Sequence, residues 1–367
     1  MMNKFLTLLL SFLILTTACG NKQASSTAGN LLTDAKTLRM YPMGDNVTVA
    51  EVVSPEDSAK TVAKYYLVKR GTEKPSVADG EVIEVPLQKA VVYTSVHASA
   101  LDELGAGAII KGVTDASYFT LPSVKEGLAN GSIADLGTSS APAVEKIIDL
   151  SPDAIILNIY DGMDTRSVEK LGIPIIRMSE NEEQTPLGRA EWLKLLGALT
   201  GNVEKADSIF SGVRQRYAAA MKETAGRKQR PTVFADNIYQ GVWYVAGGGS
   251  YTARIYADAG ATYPWADDKS AGSLNLSFEQ VLDKARDADF WLLKVFGQKL
   301  TRDGLMAMDP RYKHFSAVDK GGVYYCDTST APIFDETPFH PDLLLREYIN
   351  IFNRNDDRLR YFRPMGK

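Results

Sequence analysis

The side chains that most often bind metals or act as nucleophiles are rare in this chain and lie far apart. It contains three histidines, His97, His314 and His340, and two cysteines, Cys19 and Cys326. His97 follows a predicted strand at the start of a predicted helix, which is where α/β proteins commonly bind ligands. Three scattered imidazoles do not form the cluster that a bare zinc or manganese ion needs. We therefore predict no resident metal site and no cofactor.

Sequence motifs of the common enzyme classes are absent. The chain has no G-x-S-x-G turn, no G-x-x-x-x-G-K-[ST] loop and no H-E-x-x-H helix. The segment 247–250, GGGS, could meet an anion with its backbone N–H groups or simply form a tight turn. Cys326 ends the apolar run 323–326 and is typical of a buried strand residue. We predict no catalytic residue, but a carboxylate pair facing across a cleft stays open among the 45 acidic residues.

The composition excludes several classes of protein. Of the 367 residues, 45% are apolar and 23% are charged, which is ordinary for a globular protein of roughly two domains. The formal net charge of −4 and the lack of a basic block argue against nucleic acid as a partner. No apolar run reaches the ~18 residues that a membrane-spanning helix needs.

The elements that would position these residues alternate between strands and helices. Strands are predicted at 90–94, 109–114, 153–158, 174–178, 231–236, 242–246, 288–294 and 322–326, and helices at 97–104, 143–150, 163–171, 251–259, 278–285 and 342–352. Apolar strands separated by helices predict parallel sheets that are covered on both faces. Between the two halves the alternation of strands and helices is interrupted by two successive helical patterns, 187–199 and 202–225. The second would form a helix about 36 Å long. Residues 31–89 contain two further strands, 47–53 and 63–68, which predict a small β appendage.

The N-terminal residues predict a secretion signal. Lys4 precedes the apolar run 5–15, and small residues lead to Cys19. This pattern resembles a bacterial lipoprotein signal, in which the cysteine thiol receives a diacylglycerol and becomes the mature N-terminus. We predict lipidation at Cys19. Residues 20–30 are small and polar, which suits a flexible tether.

Several ordered segments carry a resemblance to a known family. In the first half they are VVYTSVHASALDELGA (91–106), IKGVTD (110–115), VEKIIDLSPDAII (144–156) and LGIPII (171–176), and in the second half FEQVL (278–282) and FHPD (339–342). Together they resemble the substrate-binding proteins of ABC importers for cobalamin and iron complexes, the group with a single helical strut. PLGRAEW (186–192) and WYVAGG (243–248) resemble a lipoprotein branch of that family. The resemblance covers roughly residues 88–355.

The resemblance implies an α/β fold of two Rossmann-like lobes joined by one long α-helix, with a small N-terminal β appendage. The predicted domains are 1–18 (lipoprotein signal peptide), 19–30 (tether), 31–89 (appendage), 90–200 (first lobe), 201–226 (connecting helix) and 227–367 (second lobe). In such a receptor the ligand lies between the lobes, at the carboxyl ends of the strands. Aromatic walls bury the flat apolar faces of a large chelate. The predicted ligand-binding residues are His97, Tyr118, Phe119, Tyr160, Tyr239, Trp243, Tyr251, Phe296 and Phe334.

Two glutamates occupy matching places in the two lobes. Glu145 and Glu279 each open a predicted helix, where the helix dipole alone would favour an acidic residue. In the family, one surface glutamate per lobe meets arginines of the permease dimer. The resemblance therefore implies that Glu145 and Glu279 dock the protein on an ABC permease.

The predicted function is that of a membrane-anchored binding protein, not an enzyme. It would capture an iron-siderophore-type metal chelate and deliver it to an ABC importer permease, at the periplasmic or outer face of the bacterial cell envelope. Cobalamin or another corrinoid is an alternative ligand, and so is haem, with His97 or a cleft tyrosine as the axial ligand. An alternative from a different class is a surface-anchored enzyme that acts on a metal complex or a glycan.

Overall fold

The computed structural model describes residues 29–159 and 163–366. Within these ranges the chain forms an N-terminal sheet, a first α/β lobe, a helical connection and a second α/β lobe, in that order.

The N-terminal segment forms a four-stranded sheet that packs on the first lobe. Its strands are β1 (Leu38–Pro42), β2 (Val47–Val53), β3 (Thr61–Lys69) and β4 (Glu81–Val85), and they pair in that order. The two predicted strands correspond to β2 and β3. The sequence does not predict β1 and β4, because each has only five residues and carries charged residues or proline.

Two buried carboxylates fix this segment to the rest of the molecule. Glu183 and Glu191 accept hydrogen bonds of 2.7–3.1 Å from the backbone N–H groups of residues 33–37. Apolar side chains of the sheet and of the first lobe form one continuous core. The appendage is therefore an extension of the first lobe rather than a separate unit.

The first lobe is built around a five-stranded parallel sheet. Its strands are β5 (Ala90–Val92), β6 (Ile110–Val113), β7 (Ala134–Asp135), β10 (Ala154–Asn158) and β11 (Ile175–Met178), in the order β11-β10-β5-β6-β7, and β8 (Gly137–Thr138) and β9 (Ala141–Pro142) form a hairpin beside it. Its helices are α1 (Ser95–Glu103), α2 (Pro122–Asn130), α3 (Val144–Leu150) and α4 (Arg166–Glu169). All apolar side chains of β5 and β10 are fully buried, which explains their continuous apolar sequences.

Three helices connect the lobes: α5 (Pro186–Glu191), α6 (Leu193–Thr200) and α7 (Val203–Thr224). The 22 residues of α7 give a length of about 33 Å. Its buried side chains recur every three or four residues, as its sequence pattern predicts: Ala206, Phe210, Val213, Tyr217, Ala220 and Thr224. Where the sequence predicts one helix over 187–199, the structure has two, which meet at Trp192, the cap residue of both.

The second lobe contains two sheets. The first joins β12 (Val233–Ala235), β16 (Phe290–Val295), β17 (Val323–Asp327) and β18 (Arg363–Pro364), and the second joins β13 (Ile238–Tyr239), β14 (Val242–Ala246) and β15 (Ser273–Leu276). Its helices are α8 (Tyr251–Asp258), α9 (Phe278–Ala285), α10 (Arg302–Met308), α11 (Ser316–Asp319), α12 (Ile333–Glu336) and α13 (Pro341–Phe352). The predicted strand 242–246 is present, but it pairs antiparallel to β13 and β15 instead of joining the parallel sheet.

The long connecting helix packs on the last helix of the second lobe. Arg216 Nε of α7 donates to Asp342 Oδ2 of α13 at 2.6 Å. Because α7 runs along the second lobe and also packs on α6, bending it would break contacts on both sides. In the part of the chain that is described, none of the helices combines the length and the apolar character that crossing a membrane requires.

Candidate functional site

Two adjoining cavities lie at the carboxyl ends of the first-lobe strands. The larger, of about 360 Å³, is lined by first-lobe residues and by Arg189 of α5. The smaller, of about 260 Å³, lies between the lobes, with Phe296, Phe334 and their neighbours on its second-lobe wall. Ser95, Tyr118 and Phe119 line both cavities, so the two form one cleft.

Local backbone structure places the first-lobe wall. Thr94 follows β5 and caps α1, since its Oγ1 accepts a hydrogen bond from the backbone N–H of His97 at 3.4 Å. Asp115 follows β6 in the left-handed region, with φ of 49°, and its carboxylate accepts the backbone N–H of Ser139 at 3.1 Å. Asp115 thereby ties the β8–β9 hairpin to the rim of the cleft.

Four of the predicted ligand-binding aromatics come together in this cleft. Tyr118, Phe296 and Phe334 are 67%, 66% and 53% exposed, whereas Phe119 is buried beneath them. Exposed aromatic side chains on facing walls leave apolar surface free for a ligand to cover.

Of the other predicted ligand-binding residues that the structure describes, none lines either cavity: His97, Tyr239, Trp243 and Tyr251. Tyr239 is exposed on the hairpin between β13 and β14, and Trp243 is fully buried in the second-lobe core. The indole N–H of Trp243 donates to the carbonyl of Ala235 at 3.0 Å. Tyr160 and Cys19 lie outside the described residues.

His97 supports the cleft from behind. It is fully buried, its Nδ1 lies 2.8 Å from Thr94 Oγ1, and its Nε2 lies 3.4 Å from Glu180 Oε2. Both ring nitrogens already have partners within the protein, and His97 lines neither cavity. His97 lies beneath the residues that line the larger cavity, where its contact with Glu180 orients that carboxylate.

A buried charged cluster forms the floor of the larger cavity. Arg189 Nη2 lies 3.9 Å from Glu180 Oε1, and its guanidinium carbon lies 4.7 Å from the ring centre of Tyr251. Burial alone would raise the pKa of Glu180, but its electrostatic interaction and hydrogen bond with His97, together with the charge of Arg189, lower it to about 2. Burial would also raise the pKa of Tyr251, yet Arg189, a hydrogen bond with Thr252 and Lys294 lower it below its usual value. This cluster joins the first lobe to the second through α5.

Sequence reasoning missed Arg189 and Tyr93 as cleft residues. Arg189 lies on a helix between the lobes rather than after a strand, so the strand-end rule does not find it. Tyr93 is buried, and its hydroxyl has no hydrogen-bond partner among the described residues. Burial and the nearby Asp115 carboxylate raise the pKa of Tyr93 to about 12, so its hydroxyl keeps its proton at physiological pH.

The described residues lack a metal centre. Across residues 29–159 and 163–366, no group of three or more histidine, cysteine, aspartate or glutamate side chains could hold a metal ion. Cys326 is buried in β17, as its sequence predicts, and burial raises the pKa of its thiol to about 12. The thiolate that a nucleophile needs is therefore disfavoured.

The two predicted docking glutamates are exposed, one on each lobe. Glu145 lies in the first turn of α3 and Glu279 in the first turn of α9. They differ in their surroundings, because Arg311 Nη1 lies 3.3 Å from Glu279 Oε1 while its Nη2 binds Asp309 at 2.7 Å. No ion pair of the described residues involves Glu145, so its charge faces solvent without a counterion.

The chain is similar in sequence to known binding proteins and lipoproteins. Residues 90–330 match the family model described as periplasmic binding protein. An uncharacterized lipoprotein of Methanocaldococcus jannaschii is 26% identical over 91% of this chain and 87% of its own length. The iron(3+)-hydroxamate-binding protein FhuD of Bacillus subtilis is 29% identical over 55% of this chain and 63% of its own length.

A solved structure shares the fold. A periplasmic haem-binding protein from Pseudomonas aeruginosa aligns with a TM-score of 0.59 at 17% identity, over 77% of this chain and 99% of that one. The likeness confirms the predicted two-lobe α/β fold.

Proposed function

The chain belongs to the periplasmic binding protein family, and on that premise we propose that it captures a metal chelate of the iron-siderophore type and delivers it to an ABC importer permease. Membership of this family confirms the resemblance in the sequence and the prediction of a binding protein rather than an enzyme. Of the relatives, FhuD is named for binding an iron(3+) hydroxamate.

The aromatic interlobe cleft carries this proposal. Tyr118 on the first lobe faces a cavity whose opposite wall holds Phe296 and Phe334, and more than half of each side chain is free. A chelate that wraps its metal presents apolar faces, and covering such aromatic surface contributes about 25 cal/mol for each Å² removed from water. The described residues contain no group of three or more histidine, cysteine, aspartate or glutamate side chains that could hold a bare ion, which favours a cargo whose metal is already chelated.

Corrinoids and haem remain alternatives for the same cleft. Haem would need an axial ligand from the protein, and both ring nitrogens of His97 are already bonded. A haem complex would therefore depend on a cleft tyrosine such as Tyr118. Ferric siderophores, corrinoids and haem also differ in net charge, which gives a second way to distinguish them.

Membrane attachment and permease docking complete the proposed function. Lipidation of Cys19 would tether the protein to the cell envelope, and relatives of this chain are named as lipoproteins. Glu145 and Glu279 are exposed, one per lobe, and neither lines the cleft. Both could therefore meet a permease while the cleft holds its cargo.

Thermal unfolding of the mature protein with and without candidate chelates tests the proposal. A ligand that binds only the native state stabilises it by about 2.7 kcal/mol when its concentration is a hundred times Kd. We expect a ferric siderophore to raise the midpoint by several degrees, and the metal-free siderophore to raise it less. A panel of ferric siderophores, corrinoids and haemin that leaves the midpoint unchanged would contradict the proposal.

A further inference from the structure

The charged side chains that line the cleft affect which net charge a bound chelate can carry. Five charged side chains of the described residues line the two cavities: Asp115, Lys125, Glu180, Arg189 and Asp335. Three are acidic and two are basic, so the walls have no surplus of positive charge.

The Arg189 guanidinium in the larger cavity lies close to a carboxylate. Arg189 lies 3.9 Å from Glu180, and the side chains of both are largely buried. The Glu180 carboxylate offsets the charge of Arg189, although Arg189 Nε is buried without a hydrogen-bond partner among the described residues. Of the two cations that line the cavities, Lys125, which is exposed at the edge of the smaller one, has no ion pair among the described residues.

The remaining acids lie on opposite walls. Asp115 stands at the first-lobe rim, where it holds the backbone N–H of Ser139. Asp335 is buried on the second-lobe wall and accepts a hydrogen bond from Thr120 Oγ1 of the first lobe. A ligand that fills the cleft therefore meets negative charge from both lobes.

We propose that the cleft selects metal chelates whose outer surface carries no net negative charge. This inference rests on the proposed function and narrows its substrate class. Moving a multiply charged anion out of water costs much free energy, which only closely placed cations return. Here the walls offer neutral groups instead, such as the serine, threonine and asparagine side chains of Ser95, Thr94 and Asn158. Neutral or cationic ferric hydroxamates and neutral corrinoids fit these walls, whereas a trianionic ferric catecholate does not.

Calorimetric titration of the mature protein with chelates of different charge tests this inference. The probes are ferrichrome, a neutral ferric trihydroxamate; ferrioxamine B, a cationic one; cyanocobalamin; trianionic ferric enterobactin; and haemin with its two propionates. We expect a neutral or cationic probe to bind at least tenfold more tightly than either anionic probe. Tightest binding of ferric enterobactin or haemin would overturn the inference but leave the proposed function standing. Failure of every probe to bind would overturn both.

A charge variant makes the test specific to the cleft. Asp115→Asn keeps the carbonyl oxygen that accepts Ser139 N–H, and asparagine tolerates the left-handed backbone at this position. Removing one negative charge at the rim should raise the affinity for ferric enterobactin relative to that for ferrichrome by about three- to fivefold. Asp149→Asn, on the exposed surface of α3 in the same lobe, is the matched control and should leave the ratio unchanged. Equal ratios in the two variants would refute the role given to the wall charges.

Discussion

Replacing Phe334 by alanine should weaken chelate binding without unfolding the protein. Phe334 lies in α12 at the cleft and is 53% exposed, while its neighbour Ile333 is buried in the core. Because about half of the ring faces solvent, its truncation leaves that core side chain in place. The perturbation therefore acts mainly on the surface that we propose the ligand covers.

The exposed area sets the magnitude. A phenylalanine side chain presents roughly 200 Å², so the 53% that is free amounts to about 110 Å². At ~25 cal/mol per Å², complete coverage by a ligand is worth about 2.6 kcal/mol, or roughly an 80-fold change in Kd. A ligand that covers half of this area gives about a ninefold change. We expect an increase in Kd between these two values.

Titration of wild-type and variant proteins with ferrichrome measures this change. Tyr244→Ala is the matched control, because Tyr244 is 45% exposed but lies on β14 outside both cavities. Circular dichroism and the unfolding midpoint should confirm that both variants fold. If Phe334→Ala binds like the wild type, or if Tyr244→Ala weakens binding as much, the ligand does not lie against α12 and the reasoning fails.

Four further predictions concern permease docking (two of them), membrane anchoring and the charged cluster around Glu180. Replacing both Glu145 and Glu279 by arginine should abolish uptake while leaving ligand affinity unchanged, because both lie outside the cleft; normal uptake by the double variant would leave only the helix-dipole role. Of the single alanine variants, Glu145→Ala should reduce uptake more, since Arg311 already partly neutralises Glu279; equal losses would refute this asymmetry. Cys19→Ser should move the protein from the membrane fraction to the soluble fraction, and a variant that still sediments with membranes in high salt would contradict lipidation there. The pKa of Glu180 falls from 4.5 to about 2 on folding, so the ionised carboxylate stabilises the native state above about pH 4.5, and this contribution is lost as the pH falls toward 2. In chemical unfolding, the free energy of unfolding of the wild type should exceed that of Glu180→Gln by an amount that shrinks as the pH falls across this range. A difference that stays constant with pH would argue against the shift.

The sequence predicts most of the fold because its signals are periodic and local. The strand Ala154–Asn158 begins with four consecutive buried apolar residues, and α7 repeats its apolar residues every three or four positions. The pairing partner of a strand leaves no such local signal. For that reason Val242–Ala246 is predicted correctly as a strand while its antiparallel sheet is not.

The sequence predicts the position of the cleft better than the residues on its walls. The rule that ligands lie at the carboxyl ends of strands leads to Tyr118, Phe296 and Phe334. It cannot tell which aromatic side chain turns inward, and Trp243 packs among Phe234, Trp291 and Phe315 in the core. Arg189 comes from a connecting helix that reaches the cleft only after the whole chain has folded.

We propose that a metal chelate binds in the aromatic cleft between the lobes. The most direct test is titration calorimetry of ferrichrome into the mature wild-type protein and into a Tyr118→Ala, Phe334→Ala double variant. We predict saturable one-to-one binding to the wild type and at least a tenfold weaker affinity in the double variant. Saturable binding of equal affinity in both proteins would place the ligand elsewhere, and the absence of saturable binding by ferrichrome and by every other chelate of the panel would contradict the claim itself.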